Sequence, residues 1–328
     1  MRSDVLNPMR ASRRAPWALL VGACVLTLAS LGCAAGGAPA CHVGADCASG
    51  VCTSMGTCYT PDSAVMDGSM PELDAGSDGE VASDASVVDS SVPDSGACVA
   101  NHDFRVERAE LPLAAGLHAT FRVATGVDVN TAGTTMADGS RVWDFSGPMT
   151  GDHDVLVTTE PLAGAWYEGD FPTGLYASKL SDSADLLGVF SLGPTAQRLL
   201  GVVSPADGTT RTKLTYDPPV DVLQLPLMRG GHYSTTATVS GTASGIPGFY
   251  AESYVDDVDA HGTLRTPFGD FDVLRVKVVL TQTVGVLVTV RRTFLFVSEC
   301  FGVVAAVVSQ DNELATEFTH AAELRRLK

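Results

Sequence analysis

Asp257, Asp259 and His261 stand at alternate positions in the run Val255-Asp-Asp-Val-Asp-Ala-His261. A strand sends every second side chain to the same face, so this spacing would gather two carboxylates and an imidazole. Three ligands of that kind could hold a zinc or related transition-metal ion. The same acids could instead pair across a sheet with Arg275 or Lys277, as a solvated face does. Nothing else in the chain converges visibly on the trio, so we read the solvated face and assign no metal. Asp152-His153-Asp154 and Glu299-Cys300 are the other polar clusters.

The chain contains no Gly-x-Ser-x-Gly elbow, His-Glu-x-x-His helix, phosphate-binding glycine loop or dinucleotide fingerprint. No catalytic residue is assigned and no cofactor is implied. A glycan hydrolase would need two carboxylates in a cleft with aromatic platforms. Trp143, Trp166 and Tyr167 are the aromatics placed to serve, although such large apolar side chains suit a core or an interface better.

The elements that must position these residues are strands. From Asp270 to Ser298 apolar and polar residues alternate with a period of two. Leu274, Val276, Val278 and Leu280 fall on one parity, with Arg275, Lys277 and Thr281 on the other. Beyond Gly285, Val286, Val288, Val290, Phe294 and Phe296 share a parity. This predicts a long antiparallel hairpin with one face in a core and the other wet in its middle. Thr266-Pro-Phe-Gly269 predicts a tight turn joining it to the preceding strand. Phe249 to Ser309 then reads as a meander. Further strands are predicted near Phe104–Ala109, Leu117–Ala124, Ser140–Ser146, Asp154–Thr159, Leu186–Leu192, Arg198–Ser204, Arg211–Tyr216, Val220–Leu225 and His232–Ser240. The fold class is all-β, an antiparallel sandwich or half-barrel over residues 98–328. Glu313–Lys328 fits a helical stripe and a strand about equally, and Leu180–Leu187 could be a short capped helix.

The first hundred residues differ in kind. Arg2, Arg10, Arg13 and Arg14 precede an uncharged apolar stretch from Trp17 to Gly32, the order of a secretory signal peptide over residues 1–32. Seven of the eight cysteines, at 24, 33, 41, 47, 52, 58 and 98, lie before residue 100; the eighth is Cys300. Cys41, Cys47, Cys52 and Cys58 are spaced C-x5-C-x4-C-x5-C. In an exported chain such a short segment, 41–58, reads as a module cross-linked by two disulfides, because it cannot bury a core. Its pairing is open among three arrangements. Once these cysteines and the leader are set aside, Cys98 and Cys300 favour a bond to each other, with a free buried thiol at Cys300 as the alternative.

Residues 59–97 carry nine acids and no Lys or Arg among Ser, Pro, Gly, Ala and Val. That composition predicts a disordered, self-repelling linker. It lacks the ligand spacing of a calcium loop.

Two resemblances bear on this region. Ser30-Leu-Gly-Cys33 resembles a bacterial lipoprotein signal. It implies lipidation of Cys33 on a short tether, 33–40, and hence a membrane partner through an N-terminal lipid. The family pattern has Leu three residues before the cysteine and a small residue two before; here Ser30 and Leu31 stand there. Cleavage after Ala38-Pro39-Ala40, releasing a soluble protein, is the alternative. Ala34 after the cysteine, by resemblance to other Gram-negative lipoproteins, implies the outer membrane. Asp46-Cys-Ala-Ser-Gly-Val-Cys52 resembles the short repeats of myxobacterial and related cell-surface lipoproteins, which carry no catalytic residue to transfer.

A formal charge of −17 argues against nucleic acid as a partner and against adsorption to anionic lipid through a basic patch. Three functions are then expected, in order: a non-catalytic envelope lipoprotein whose β domain meets an envelope or extracellular partner; a binder of lipid or another apolar ligand; a glycan hydrolase.

Overall fold

In the computed structural model, which describes residues 98–328, the alternating stretch folds as the predicted hairpin. The leader, Cys33, the 41–58 module and the 59–97 linker lie outside the described residues. In chain order the strands are β1 (Arg105–Val106), β2 (His118–Asp128), β3 (Thr134–Thr135), β4 (Arg141–Asp144), β5 (His153–Glu160), β6 (Tyr176–Lys179), β7 (Leu187–Leu192) and β8 (Ala196–Val203). Then follow β9 (Lys213–Gln224), β10 (Leu227–Met228), β11 (His232–Ala243), β12 (Ile246–Arg265), β13 (Asp270–Val284), β14 (Leu287–Ser298), β15 (Gly302–Ser309) and β16 (His320–Leu327).

The all-β, antiparallel expectation holds, and the sheet goes beyond a half-barrel. The order β11-β9-β8-β7-β6-β5-β2-β16-β15-β14-β13-β12 returns on itself because β11 also pairs with β12, so 12 strands close a barrel. Closure removes both sheet edges. β12 through β15 form the predicted meander, and Gly269 N–H returns to Thr266 O at 3.2 Å in the predicted turn. The C-terminal segment resolves as strand β16. It fills the slot between β15 and β2, where a helix would leave two ladders of backbone groups unpaired. Residues 180–187 form bends leading into β7 rather than a helix.

The two strands expected at Arg211–Tyr216 and Val220–Leu225 are one, β9, interrupted in its pairing. Its ladder to β11 stops at Asp217↔Thr238, where Pro218 and Pro219 supply no N–H. Beyond this point side chains rather than a backbone ladder join β9 to β11, as Tyr233 Oη donates to Val222 O at 3.0 Å, and from residues 98–117 Val106 and Leu111 pack against Leu223, Leu225 and Leu227. This segment pairs with β10 through Arg105 and Val106, and Arg108 Nε donates to Gly193 O at 3.2 Å. It reaches β5 where Gly116 N–H donates to Thr159 O.

Register separates the two faces. Val106, Leu111, Leu223, Val258, Leu274, Val276 and Val297 pack together on the inside, continued by Leu214, Tyr216, Ala237 and Val239. The outer face of β11, Ser234, Thr236 and Ser240, is exposed. Two outer layers cover the wall elsewhere. Residues 129–152 bring Trp143 and Phe145 onto Phe294, Phe296 and Leu324. Residues 161–175 bring Leu162, Tyr167 and Phe171 onto Val189 and Val203. The expectation of a wet outer face along the hairpin therefore fails at Arg275. Phe296 is paired with it across the ladder, and the outer layer closes over both.

The outer layer joins the wall through β4, which runs parallel to β12 and pairs Gly262 with Arg141. Gly262 has φ +152°, and a Cβ there would overlap the Arg141 backbone. Gly262→Ala is expected to cost on the order of 3 kcal/mol and lower the melting temperature. An unchanged thermal melt would show that β4 does not dock this closely.

Candidate functional site

The bond between Cys98 and Cys300 is formed, with Cα atoms 5.5 Å apart across 202 residues of sequence. It fastens the start of the domain to the turn after β14. In the chain-entropy view a loop of that length contributes about 5 kcal/mol. The polypeptide on either side of the bridge is held as well. Asn101 and His102 N–H groups donate to Glu299 Oε2 at 2.7 and 2.9 Å, and Cys300 N–H donates to Glu110 O at 2.8 Å. His102, Phe104 and Cys300 all have positive φ, an unfavourable backbone state for such residues that these contacts maintain.

Between the fastened segment and the barrel rim lies a cleft of about 210 Å³. One wall is Ala100 and His102. The opposite wall is Phe268, Phe271 and Phe301, whose rings meet at centroid distances of 5.0 to 6.2 Å. Asp270 and Asp272 rim it, with the buried Glu299 at its floor. Phe268 and Phe301 remain partly exposed, so they offer apolar surface that nothing among the described residues covers. His102 Nδ1 lies 2.9 Å from Asp272 Oδ2, an arrangement that orients an imidazole. Ser298 also lines the cleft, but among the described residues no hydrogen bond joins it to His102. The geometry thus supplies an aromatic seat under a negative rim rather than a nucleophile engaged with a base.

A second polar group sits inside the barrel. Tyr254 Oη donates to Glu252 Oε2 at 2.6 Å and Gln282 Nε2 to Glu252 Oε1 at 2.9 Å. Further along β12, Asp256 is 2% exposed and its Oδ2 has no hydrogen-bond partner among the described residues. Burial, and then the nearby Asp257 and Asp221, push the Asp256 carboxyl up to about 7. Burial also raises the hydroxyls of Tyr216, Tyr233 and Tyr254 above the usual tyrosine range.

The trio proposed from spacing does not assemble. A β-bulge between Val258 and Ala260 inserts one residue, so the parity reverses: Asp257 and Asp259 face outward, whereas His261 turns to the inside. Asp257 pairs with Lys277 at 2.8 Å and His232 at 2.6 Å, and Asp259 pairs with Arg275 at 2.7 Å. These are the cross-strand pairings expected of the acids. His261 packs edge-on against Phe104 at 4.8 Å. No group of three metal-ligating side chains converges among the described residues. Asp152, His153 and Asp154 also disperse, to Arg326, to Asp182 and to Arg122 with Lys328. Trp143 and Tyr167 are buried in the outer layers, and Trp166 lies beneath Arg211, so none forms a platform.

Sequence reasoning identified Glu299 and Cys300 but not the phenylalanines or His102. The usable signal was the disulfide itself, because Cys98 bonded to Cys300 brings Ala100 and His102 beside Glu299 and Phe301. No protein-family model, curated protein or solved structure matches the chain.

Proposed function

We propose that the chain is an exported envelope lipoprotein, anchored through lipid on Cys33 and placed at the outer membrane. Its barrel is a non-catalytic recognition domain, and the phenylalanine cleft is where a partner is held. The observation that carries this reading is the cleft: three clustered rings, two of them part-exposed, beside the carboxylates of Asp270 and Asp272. Apolar surface left open beside exposed carboxylates fits an apolar group bearing a positive charge. The inside of the barrel is occupied by its own side chains, which favours this over an enclosed lipid site.

Isothermal titration of the full chain with 2-phenylethylamine, and with phenylacetate as the charge-reversed control, tests the cleft. Saturable binding of the amine is expected, with affinity reduced at least about tenfold in Phe301→Ala, the loss of roughly 1.4 kcal/mol of ring contact. Equal binding of the two compounds, or binding indifferent to Phe301, would overturn the assignment. Lipid on Cys33 is read separately, from the mass of its tryptic peptide.

A further inference from the structure

The end of the barrel opposite the cleft carries a feature that recognition at the cleft does not use. Two hairpins end there, β11–β12 at Ala243–Ile246 and β13–β14 at Val284–Leu287, and they are neighbours because Ala251 pairs with Thr283. Each closes through a two-residue turn. In the second, Gly285 has φ +59° at the first central position, where a primed turn needs it. The turn leaves Val286 95% exposed. Around it Leu287, Val288, Ile246 and Phe249 are also largely exposed, from 56% to 76%.

The charge pattern identifies the partner. In a chain of net charge −17, no charged residue occurs from Ala243 to Ala251 or from Val278 to Val290, and in the loop that meets the first tip, where Gly245 N–H donates to Arg211 O at 3.0 Å, Arg211 is itself paired with Asp207 at 2.8 Å. An apolar patch of this kind marks a contact with protein or membrane. Two copies meeting tip to tip would bring strongly acidic domains together, which self-repulsion opposes. The most exposed side chains of the tips, Ile246, Phe249, Val286, Leu287 and Val288, include no Arg or Trp, the side chains that most often anchor a protein interface. A fluid hydrocarbon layer needs no shape complementarity and accepts such side chains directly. We propose that the Ser244–Gly245 and Gly285–Val286 tips insert into the apolar boundary of a zwitterionic lipid bilayer and thereby orient the barrel on a membrane surface. The 64 residues from Ala34 to Ala97 are long enough to permit this orientation, since such a length spans up to roughly 210 Å when extended. That last point alone rests on the anchored reading above; the tips themselves do not.

The test removes the anchor and reports from the tip. In the chain beginning at Ala34, which carries neither the apolar leader nor the lipid-accepting cysteine, an environment-sensitive fluorophore is attached at Val286→Cys, and in a second sample at Ser234→Cys on the exposed outer wall. With phosphatidylcholine vesicles the 286 label is expected to shift to the blue and brighten several-fold while the 234 label stays unchanged. Val286→Asp together with Leu287→Asp should abolish flotation of the unlabelled chain with the same vesicles. No change at 286, or equal change at both labels, would overturn the proposal. A blue shift without vesicles that grows with protein concentration would also overturn it, by making a second copy the occupant. Failure here leaves the Cys33 peptide mass and the cleft titration untouched.

Discussion

Arg275→Met is expected to lower the unfolding free energy by about 2–3 kcal/mol, because it leaves Asp259 without its cation and Glu317 with only the more distant Arg141, at 3.6 Å. Arg275 is 1% exposed on the outer wall of β13. Its Nε and Nη2 donate to the two oxygens of Asp259 at 2.9 and 2.7 Å. Nη1 and Nη2 donate to Glu317 at 3.1 and 2.7 Å, and Nη1 also donates to Thr131 O at 2.6 Å. The guanidinium lies over the Phe294 ring at 4.3 Å and near Trp143 at 5.5 Å. One side chain thus joins β12, β13, the 129–152 layer and the loop before β16. Lysine offers a point charge and cannot serve two carboxylates in a planar fork, so Arg275→Lys should recover little. Burial alone would raise the Glu317 carboxyl, but hydrogen bonds and charge from Arg275 outweigh it and hold that carboxyl below 4.5. A depressed carboxyl contributes stability above its unfolded value and loses it as pH falls through the folded one. The deficit of Arg275→Met against the unaltered protein should therefore be full near neutrality and shrink in acid. Urea denaturation at two pH values measures it; a deficit under about 1 kcal/mol at neutral pH would mean that the wall holds without this junction.

Asp256→Asn should act in the opposite direction. The Asp256 carboxyl is raised from 3.8 to about 7, so the folded protein holds that proton where the unfolded chain releases it. The folded state is favoured by the proton, and its stability falls as pH rises between those two values, then stays level above them. A shift of this size corresponds to roughly 4 kcal/mol as an upper figure. Asparagine keeps the shape of the protonated acid and carries no charge to bury. At pH 8 the variant should melt above the unaltered protein, and at pH 4 the two should coincide. An increment independent of pH would show that the buried carboxyl is satisfied by some other means.

Both residues show where reading the chain alone succeeds and where it stops. The alternation from Asp270 to Ser298, the turn at Thr266–Gly269 and the meander to Ser309 were legible because strand period and turn chemistry are local. Cysteine arithmetic pointed to the Cys98–Cys300 bond, since the other six cysteines were assigned to an expected leader, an expected lipid signal and an expected cross-linked module. The same local rule misplaced Arg275, whose parity is that of a wet face. What covers it is a layer returning from more than a hundred residues earlier, beside Glu317 from the far side of β15. It also put His261 beside Asp259, because one bulged residue reverses every later side chain without altering the alternation of residue types.

Local pattern was therefore enough to establish an acidic, strand-built chain, its central hairpin and one long-range covalent bond. The packing of distant segments decided that the sheet closes through β11 and β12, that Asp256 is sealed inside, and that three phenylalanines meet a histidine at the rim. Those outcomes depend on which strands become neighbours across long separations, and neither a period of two nor a turn motif encodes the partner.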